Sequence, residues 1–391
     1  MATPDAYFFG VEIELIAAPI QPRNPFSPEY YYEKLASWIR SFNVRAAADT
    51  LVEKYRKYPE HYNKWWITKD GSLKHPEYPC IPLEAVSPVL STCHRWEDSI
   101  EVFWAACDRV FQMPEASHRC GSHIHVSPSP LQMFSLSQLK RVAYGVVFYE
   151  PLVEEILPHS RRNHPYCKLN TEHSDELKTI IWSSQGTESS LRRVRHRIMS
   201  VNNARGIRDL MQRSSEPRID RRVLWNFDNV FPGCSGTIEF RGGRALRGPV
   251  KTKRWISFAL AFIHLCLSED LGSSAGYQRP SIRSFWQSLR RAAHEIGVKS
   301  HLPSKWTVMA EFERQRRKVV SIHVVRADDS ISDGSHEEIC DEEDEEDSSS
   351  DDDSSISSKS DSKYSDSDKY DFEDTDSDEL DSVYTDSDYF Y

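Results

Sequence analysis

The sequence predicts an α+β fold with an antiparallel sheet, and two observations support this expectation. Short segments that alternate apolar and polar residues, as strands do, are interspersed among longer segments of helical periodicity. Their order lacks the regular strand–helix–strand alternation that accompanies a parallel sheet. The composition changes abruptly near Ala327, so we expect one folded domain over residues 1–326 and a disordered acidic Ser/Asp-rich tail over 327–391.

The individual elements are predicted from local patterns along the chain. The strands are expected at Tyr7–Ile16 and in the segments "CIPLEAVSPVL", "GSHIHVSP", "RIMSVNN" and "GTIEFRGG". The helices are expected in "PFSPEYYYEKLASWIRSF", at His94–Met113, at Leu136–Leu157, and at 250–269, 281–297 and 304–318. An Asp-Gly pair predicts a turn in "ITKDGSL", and the remainder of 158–222 is basic and is expected to be irregular.

Charge divides the 391-residue chain into two regions. Residues 327–391 contain 27 Asp or Glu against 3 Lys, a net charge of −24, and because the whole chain carries −11, residues 1–326 carry +13. Dense like charge and few aliphatic residues predict that the tail cannot bury enough surface to fold, and the tail has the charge to bind basic proteins. The basic body suits anionic ligands such as nucleotide, phosphate or carboxylate, or the acidic tail itself. We do not expect a nucleic-acid ligand, because no nucleic-acid-binding motif accompanies the positive charge.

Cysteine usage and hydropathy limit the cellular context. The eight Cys include no Cys-x-x-Cys pair, and the N-terminus lacks the basic and apolar regions of a signal peptide. We therefore expect a reduced, cytoplasmic protein, and a nuclear location is also compatible. The most apolar segment, Trp255–Leu267, has 13 residues against the roughly 20 that a membrane span needs, which predicts a buried helix and no membrane partner.

Four of the predicted strands place ionisable residues on one face and apolar residues on the other. Side chains two positions apart share a face of a strand. The residues concerned are Glu12 and Glu14, the isolated Glu84, His123 and His125, and Glu239 and Arg241. Such residues are costly on a half-buried sheet unless they are paired or bind a metal. If the four faces converge, they form a carboxylate and imidazole site suited to Mg²⁺ or Mn²⁺.

Each strand taken alone has a simpler explanation. Glu12 and Glu14 fit the wet face of an edge strand, and the two histidines fit a protein surface. Glu239 and Arg241 fit a structural ion pair, and Glu84 fits a partner in a nearby helix or turn. Cys120 with the two histidines is a further alternative, a zinc site. The joint pattern favours the common metal site.

Five motifs together resemble the amidoligase family of the glutamine synthetase-like superfamily. Over roughly residues 8–265 they are, in order, "FGVEIEL", "KDGSL", "PLEAVSPVL", "CGSHIHVSP" and "TIEFRGG". Glutamine synthetases present a Glu-x-Glu strand, further metal-binding Glu, a His-x-His strand and a late Glu-x-Arg strand in the same order. The resemblance implies a curved antiparallel sheet surrounded by helices. This sequence departs from the pattern in its middle strand, where only one Glu is evident.

The resemblance also implies roles for individual residues. The implied metal ligands are Glu12, Glu14, Glu84, His123 and Glu239. The resemblance implies that His125 contacts nucleotide phosphate and that Arg241 holds the transferring phosphate or the substrate carboxylate. Asp70 matches the acidic turn before the Glu84 strand, where it receives the amine or supports a ligand. In the basic segment "SLRRVRHRIMSVNNARG", Arg195, Arg197 and Asn202 are the phosphate-binding candidates.

The function implied by the resemblance is an ATP-dependent carboxylate–amine ligase that uses Mg²⁺ or Mn²⁺. Such a ligase transfers the γ-phosphoryl group of ATP to a small-molecule or peptide carboxylate, and an amine then attacks the acyl phosphate. Glu84 and Asp70 are the candidates to deprotonate the amine. Two alternatives stay open: a non-catalytic binding protein of the same family, and a metal-dependent hydrolase that uses the His-x-His strand.

Overall fold

The computed structural model describes residues 6–24, 26–49, 61–70, 72–73, 76–130, 132–184, 186–215, 221–271 and 277–311. The predicted acidic tail over 327–391 lies outside the described residues. So do residues 312–318 of the helix predicted at 304–318.

Within the described part of the chain, one sheet of eight strands organises the fold. Its strands are β1 (Phe8–Ala17), β2 (Ala46–Ala48), β3 (Trp65–Thr68), β4 (Ile81–Val86), β5 (Leu90–Ser91), β6 (Gly121–Ser127), β7 (Trp225–Asn226) and β8 (Ile238–Arg244). The order across the sheet is β2-β3-β4-β1-β6-β8-β7, and β5 also pairs with β1. All the pairs are antiparallel except β2 with β3. The predicted α+β fold with a largely antiparallel sheet is therefore confirmed, while the finer likeness to glutamine synthetase stays a prediction.

The described residues also contain nine α-helices. They are α1 (Pro28–Ser41), α2 (Trp96–Val110), α3 (Leu136–Ile156), α4 (Asn170–His173), α5 (Asp175–Trp182), α6 (Thr187–Ser200), α7 (Ala204–Gln212), α8 (Pro249–Ser268) and α9 (Ile282–Glu295). Short 3₁₀ turns lie at His159–Arg161, Lys299–His301 and Trp306–Met309. Within the described residues, no helix is both long and apolar enough to cross a membrane.

Two sequence-based expectations for the basic region were wrong. The strand predicted in "RIMSVNN" is instead largely the end of α6, and the region expected to be irregular contains four helices, α4 to α7. In α6 the buried residues Leu191, Val194 and Ile198 recur at spacings of three and four, which is helical periodicity. The surrounding arginines obscured this apolar stripe. In the described part of 304–318, only the 3₁₀ turn Trp306–Met309 forms.

The apolar face of the sheet is covered by helices. Val11, Ile13 and Leu15 of β1 are buried in the main core, which also contains nearly all of the apolar segment Trp255–Leu267 of α8. Aromatic rings join the layers: Trp225 of β7 stacks on Phe262 of α8 with ring centroids 4.5 Å apart. The sheet thus leaves its opposite face to the ionisable residues.

A buried carboxyl group in α3 supports the short helix α4. Glu150 is 2 % exposed and accepts hydrogen bonds from the backbone N–H of Asn170, at 2.6 Å, and from the N–H and hydroxyl of Thr171. Burial raises the pKa of Glu150 to about 7, and these donors only partly oppose the shift. Glu150 therefore binds its proton more tightly in the folded chain than in the unfolded chain.

This shift predicts a pH-dependent stability. The contribution of Glu150 is fully present below its ordinary pKa of 4.5 and is lost as the pH rises through about 7. Between pH 5 and pH 8 we expect wild-type protein to lose roughly 2 kcal/mol of unfolding free energy relative to Glu150→Gln. Chemical denaturation of both proteins across this range measures the difference, with Glu155→Gln on the exposed face of α3 as the control. Parallel profiles for wild type and Glu150→Gln would contradict the prediction.

Candidate active site

Strand register brings the ionisable residues of four strands onto one face. Glu12 of β1 lies opposite His123 of β6, and His125 of β6 lies opposite Glu239 of β8. On the other side of β1, Glu14 lies opposite Glu84 of β4. Directly opposite residues in an antiparallel pair share a face, so the convergence expected from the sequence is present in the structure.

Glu12 lies at the centre of this cluster. One of its oxygens, Oε2, is 2.9 Å from Nδ1 of His123, and the other, Oε1, is 3.2 Å from Nε2 of His125. Oε2 of the neighbouring Glu14 accepts a hydrogen bond of 2.6 Å from the backbone N–H of Gly121. The carboxylate of Glu12 thus links the two imidazoles.

Glu239 closes the cluster from β8. Its Oε1 lies 3.5 Å from Nδ1 of His123, 3.8 Å from Nε2 of His125 and 2.5 Å from Nη1 of Arg241. Its Oε2 accepts a hydrogen bond of 2.7 Å from the side-chain amide of Asn226. Both oxygens of this buried carboxylate are therefore held in fixed directions.

The charged groups of the cluster shift one another's pKa values. Burial by itself would raise the carboxyl pKa values, but His125 and His123 hold the pKa of Glu12 well below its usual range. Arg241 and the two histidines outweigh burial at Glu239 and lower its pKa to about 2. Burial would lower the pKa of His125, whereas Glu239 and Glu12 raise it. Both carboxylates are consequently ionised at neutral pH and available as ligands.

Three residues of the cluster have the geometry of a metal site. Glu12, His125 and Glu239 each offer one ligand atom, and these atoms all lie within 4.8 Å of one another. Two carboxylates and an imidazole form a donor set compatible with Mg²⁺ or Mn²⁺. The resemblance assigned His123 to the metal and His125 to phosphate, and the structure places both imidazoles against the same two carboxylates.

A cavity of about 610 Å³ opens over the cluster. Its walls include five arginines: Arg119, Arg161, Arg221, Arg222 and Arg241. An apolar and aromatic part of the wall is formed by Phe9, Tyr62, Val86 and Val89. The cavity therefore joins a carboxylate and imidazole cluster to positive charge suited to an anionic ligand.

The structure separates the other sequence-based candidates. Asp70 lines the cavity, and its Oδ1 accepts hydrogen bonds from the N–H groups of Ser72 and Leu73, which shapes the predicted turn. Glu84 is buried beside Glu14 but does not line the cavity.

The phosphate-binding candidates of the basic segment do not reach this cavity. Arg197 lies on the exposed side of α6, where it pairs with Glu176 of α5, and neither Arg197 nor Asn202 lines the cavity. The reason is the helix: its buried stripe faces the core, and Arg197 lies on the side that pairs with α5. Arg195 is likewise absent from the cavity wall.

Cys120 does not join the histidines in the manner that a zinc site requires. It packs in a small apolar cluster with Ile16, Leu73 and Ala245 and does not line the cavity. Burial, together with the charge of Glu14, raises the pKa of its thiol to about 12. Because thiolate is the form that binds zinc, this position disfavours that alternative.

Sequence reasoning missed a buried amide relay behind Glu239. Asn226, which donates to Glu239, has its side-chain oxygen held by the amide of Gln212 at 3.0 Å. Gln212 in turn accepts from the backbone N–H of Phe227 at 2.9 Å, and both amide side chains are buried. No short motif announces such a relay, because α7 and β7 are brought together only by the fold.

Sequence reasoning also missed Arg161 in the cavity wall. A second omission was a β-bulge beside Arg241. Ser122 pairs with Gly243 and Ile124 pairs with Phe240, so His123 opposes two residues of β8 and forms a β-bulge. A Cβ atom at Gly243 would lie 2.0 Å from the hydroxyl oxygen of Ser122, which explains the glycine there. The Gly-Gly pair in "EFRGG" is the sequence signal for this bulge.

Comparison with known proteins identifies the family. The profile of a family described as "Putative amidoligase enzyme" matches residues 5–263, which include the four strands of the cluster and the walls of the cavity. None of the curated proteins matches the chain. Because the match covers more than half of the sequence, this chain belongs to the amidoligase family, and its family points to a ligase-type enzyme.

Proposed function

We propose that this protein is an ATP-dependent carboxylate–amine ligase that binds Mg²⁺ or Mn²⁺ through its Glu and His cluster. The observation that carries the proposal is that ligand atoms of Glu12, His125 and Glu239 lie within 4.8 Å of one another. Arg241 lies beside them in the same cavity. A divalent cation in this cluster would neutralise phosphate charge and help to orient the nucleotide.

The side chains of the cavity supply the other parts that the reaction needs. A carboxylate is a poor electrophile, and phosphoryl transfer from ATP converts it into an acyl phosphate that an amine can attack. Arg241 is placed to hold the oxyanion of the transferring phosphoryl group or of the acceptor carboxylate. The buried partners of Glu12 and Glu239 keep these carboxylates ionised and oriented before any ligand arrives.

Asp70 is the candidate base that removes a proton from the amine. Asp70 lines the cavity and Glu84 does not, so Asp70 is the better placed of the two carboxylates expected from the sequence. Its Oδ1 is engaged by the turn at Ser72 and Leu73, which leaves Oδ2 as the candidate acceptor of the ammonium proton. The substrates are a small-molecule or peptide carboxylate and an amine, in accord with the cationic wall of the cavity.

Cysteine labelling tests nucleotide binding without knowledge of the substrates. Cys234 and Cys93 are both exposed, but only Cys234 lines the cavity. At ATP concentrations about ten times Kd, with Mg²⁺ or Mn²⁺, we expect iodoacetamide to label Cys234 roughly tenfold more slowly, because only the free protein reacts. The rate at Cys93 should not change. Peptide mass spectrometry measures both rates in one sample.

Equal labelling of Cys234 with and without saturating metal–nucleotide would overturn the proposal, as would protection by ATP in the presence of a chelator. Tight stoichiometric zinc with no effect of ATP would support a hydrolase instead. Once binding is established, ADP release across amino acids, polyamines and peptides identifies the substrate pair.

A further inference from the structure

Arg161 is a buried arginine whose charge has an incomplete set of partners. It is 2 % exposed, at the end of the 3₁₀ turn His159–Arg161, and it lines the cavity. Its Nη2 donates to the backbone carbonyl of Arg241 at 2.7 Å, whereas its buried Nε has no hydrogen-bond partner. Among the described residues, no ion pair joins this guanidinium to a carboxylate. An unpartnered buried donor of this kind is costly, so a ligand that accepts from it would be favoured.

Gly121 allows the guanidinium of Arg161 to lie close to the cluster. A Cβ atom added at Gly121 would lie 3.2 Å from Nη2 of Arg161, 3.3 Å from Oε2 of Glu14 and 3.4 Å from Nε2 of His123. Gly121 lies on the same face of β6 as the two histidines, because it is two residues before the first. Its lack of a side chain therefore lets Arg161, Glu14 and His123 approach one another closely, because a methyl group there would press against all three.

Arg161 differs from Arg241 in its availability. Arg241 contacts Oε1 of Glu239 at 2.5 Å, so part of its hydrogen-bonding capacity is already used inside the cluster. Arg161 lines the same cavity, and among the described residues its side chain donates only to a backbone carbonyl and pairs with no carboxylate. Arginine at such a position binds carboxylate or phosphate oxygens by parallel hydrogen bonds.

We propose that Arg161 forms an oxyanion subsite in the cavity wall at the edge of the cluster. The ligand is a carboxylate or phosphoryl oxyanion, and the assignment of that group to a reactant rests on the proposed ligase function. The carboxylate of Glu14 lies near the same guanidinium, across Gly121, and repels an oxyanion. Anion binding should therefore strengthen when Mn²⁺ or Mg²⁺ neutralises the cluster.

Titration of the full-length protein with orthophosphate and with acetate, in separate experiments with Mn²⁺ present, tests the subsite. In Arg161→Gln we expect the Kd for the anion to rise roughly tenfold or more, because a hydrogen bond to a charged group is lost. Arg161→Lys keeps the positive charge but loses the two parallel donors of the guanidinium, so it should weaken binding in the same direction and by less. Arg197→Gln, which removes an arginine outside the cavity, should bind as the wild type does.

The outcomes separate the sources of the oxyanion. A loss confined to acetate assigns the subsite to the acceptor carboxylate, a loss confined to orthophosphate assigns it to the phosphoryl group, and a loss of both supports a shared subsite. Wild-type affinity for both anions in Arg161→Gln overturns the proposal, and if that variant does not fold, wild-type affinity for both anions in Arg161→Lys does so. So does wild-type anion binding that does not respond to Mn²⁺. If the wild type fails to bind metal–ATP but the anion results hold, the ligase function fails and the subsite stands.

Discussion

Replacement of Glu12 by Gln is expected to abolish metal-dependent nucleotide binding while the protein stays folded. The carboxylate of Glu12 is shared between the imidazoles of His123 and His125, one oxygen to each. Gln has nearly the same shape but replaces one ligand oxygen by an amide that donates hydrogen bonds and carries no charge. We expect the Kd for Mn²⁺ to rise by roughly 100-fold or more, because loss of a ligand should exceed the 10–100-fold that loss of an outer partner costs.

Isothermal titration with Mn²⁺, followed by the thermal shift with ATP, measures this effect. The matched control is Glu176→Gln, which removes a surface carboxylate paired with Arg197, outside the cavity. The same loss of binding is expected for Glu14→Gln and His123→Ala, whose side chains border the same cluster. Unchanged Mn²⁺ and nucleotide affinity in Glu12→Gln would remove the metal site from the proposal.

Much of the site could be predicted because strand geometry has a short period. In β1, β6 and β8 a residue two positions away returns to the same face, so Glu12, His125 and Glu239 are visible as parts of local patterns. Their mutual approach depends on register, and register follows from burying Ile13 and its neighbours on the other face. Local sequence therefore contains both the chemistry of the strands and most of their alignment.

The parts that sequence reasoning missed depend on contacts between distant segments. Arg161 lies 80 positions from the carbonyl of Arg241 that holds it, and it stands in a basic region where nothing in the local pattern marks one arginine as buried. The same region misled the choice of Arg197, because an amphipathic helix rich in arginine gives little sign of which cations face solvent. The Asn226 and Gln212 relay is likewise made by packing of α7 against β7.

Arg241 is the residue for which the structure makes two explanations most distinct. It pairs with Glu239 at 2.5 Å, and its Nε lies 3.4 Å from the carbonyl oxygen of Tyr166. Burial lowers the pKa of Arg241, but the charge of Glu239 outweighs burial and raises it, so the guanidinium is charged throughout the physiological range. A purely structural role would be to hold Glu239, which a lysine ammonium can also do. A role in the reaction requires the two-pronged guanidinium to hold a phosphoryl or carboxylate group.

Arg241→Lys is therefore expected to reduce kcat by roughly 10²-fold or more with little loss of cooperative folding. Lysine keeps the charge beside Glu239 but presents one ammonium in place of the planar fork, and removal of one donor to a developing oxyanion costs about this much. The measurement is kcat and KM for ATP by ADP release with the best substrate pair, with Arg197→Lys at the surface pair with Glu176 as the control. If the variant turns over at nearly the wild-type rate and only its melting temperature falls, Arg241 acts by holding Glu239. The oxyanion would then fall to another arginine of the cavity wall, and Arg161 is the buried one among those described.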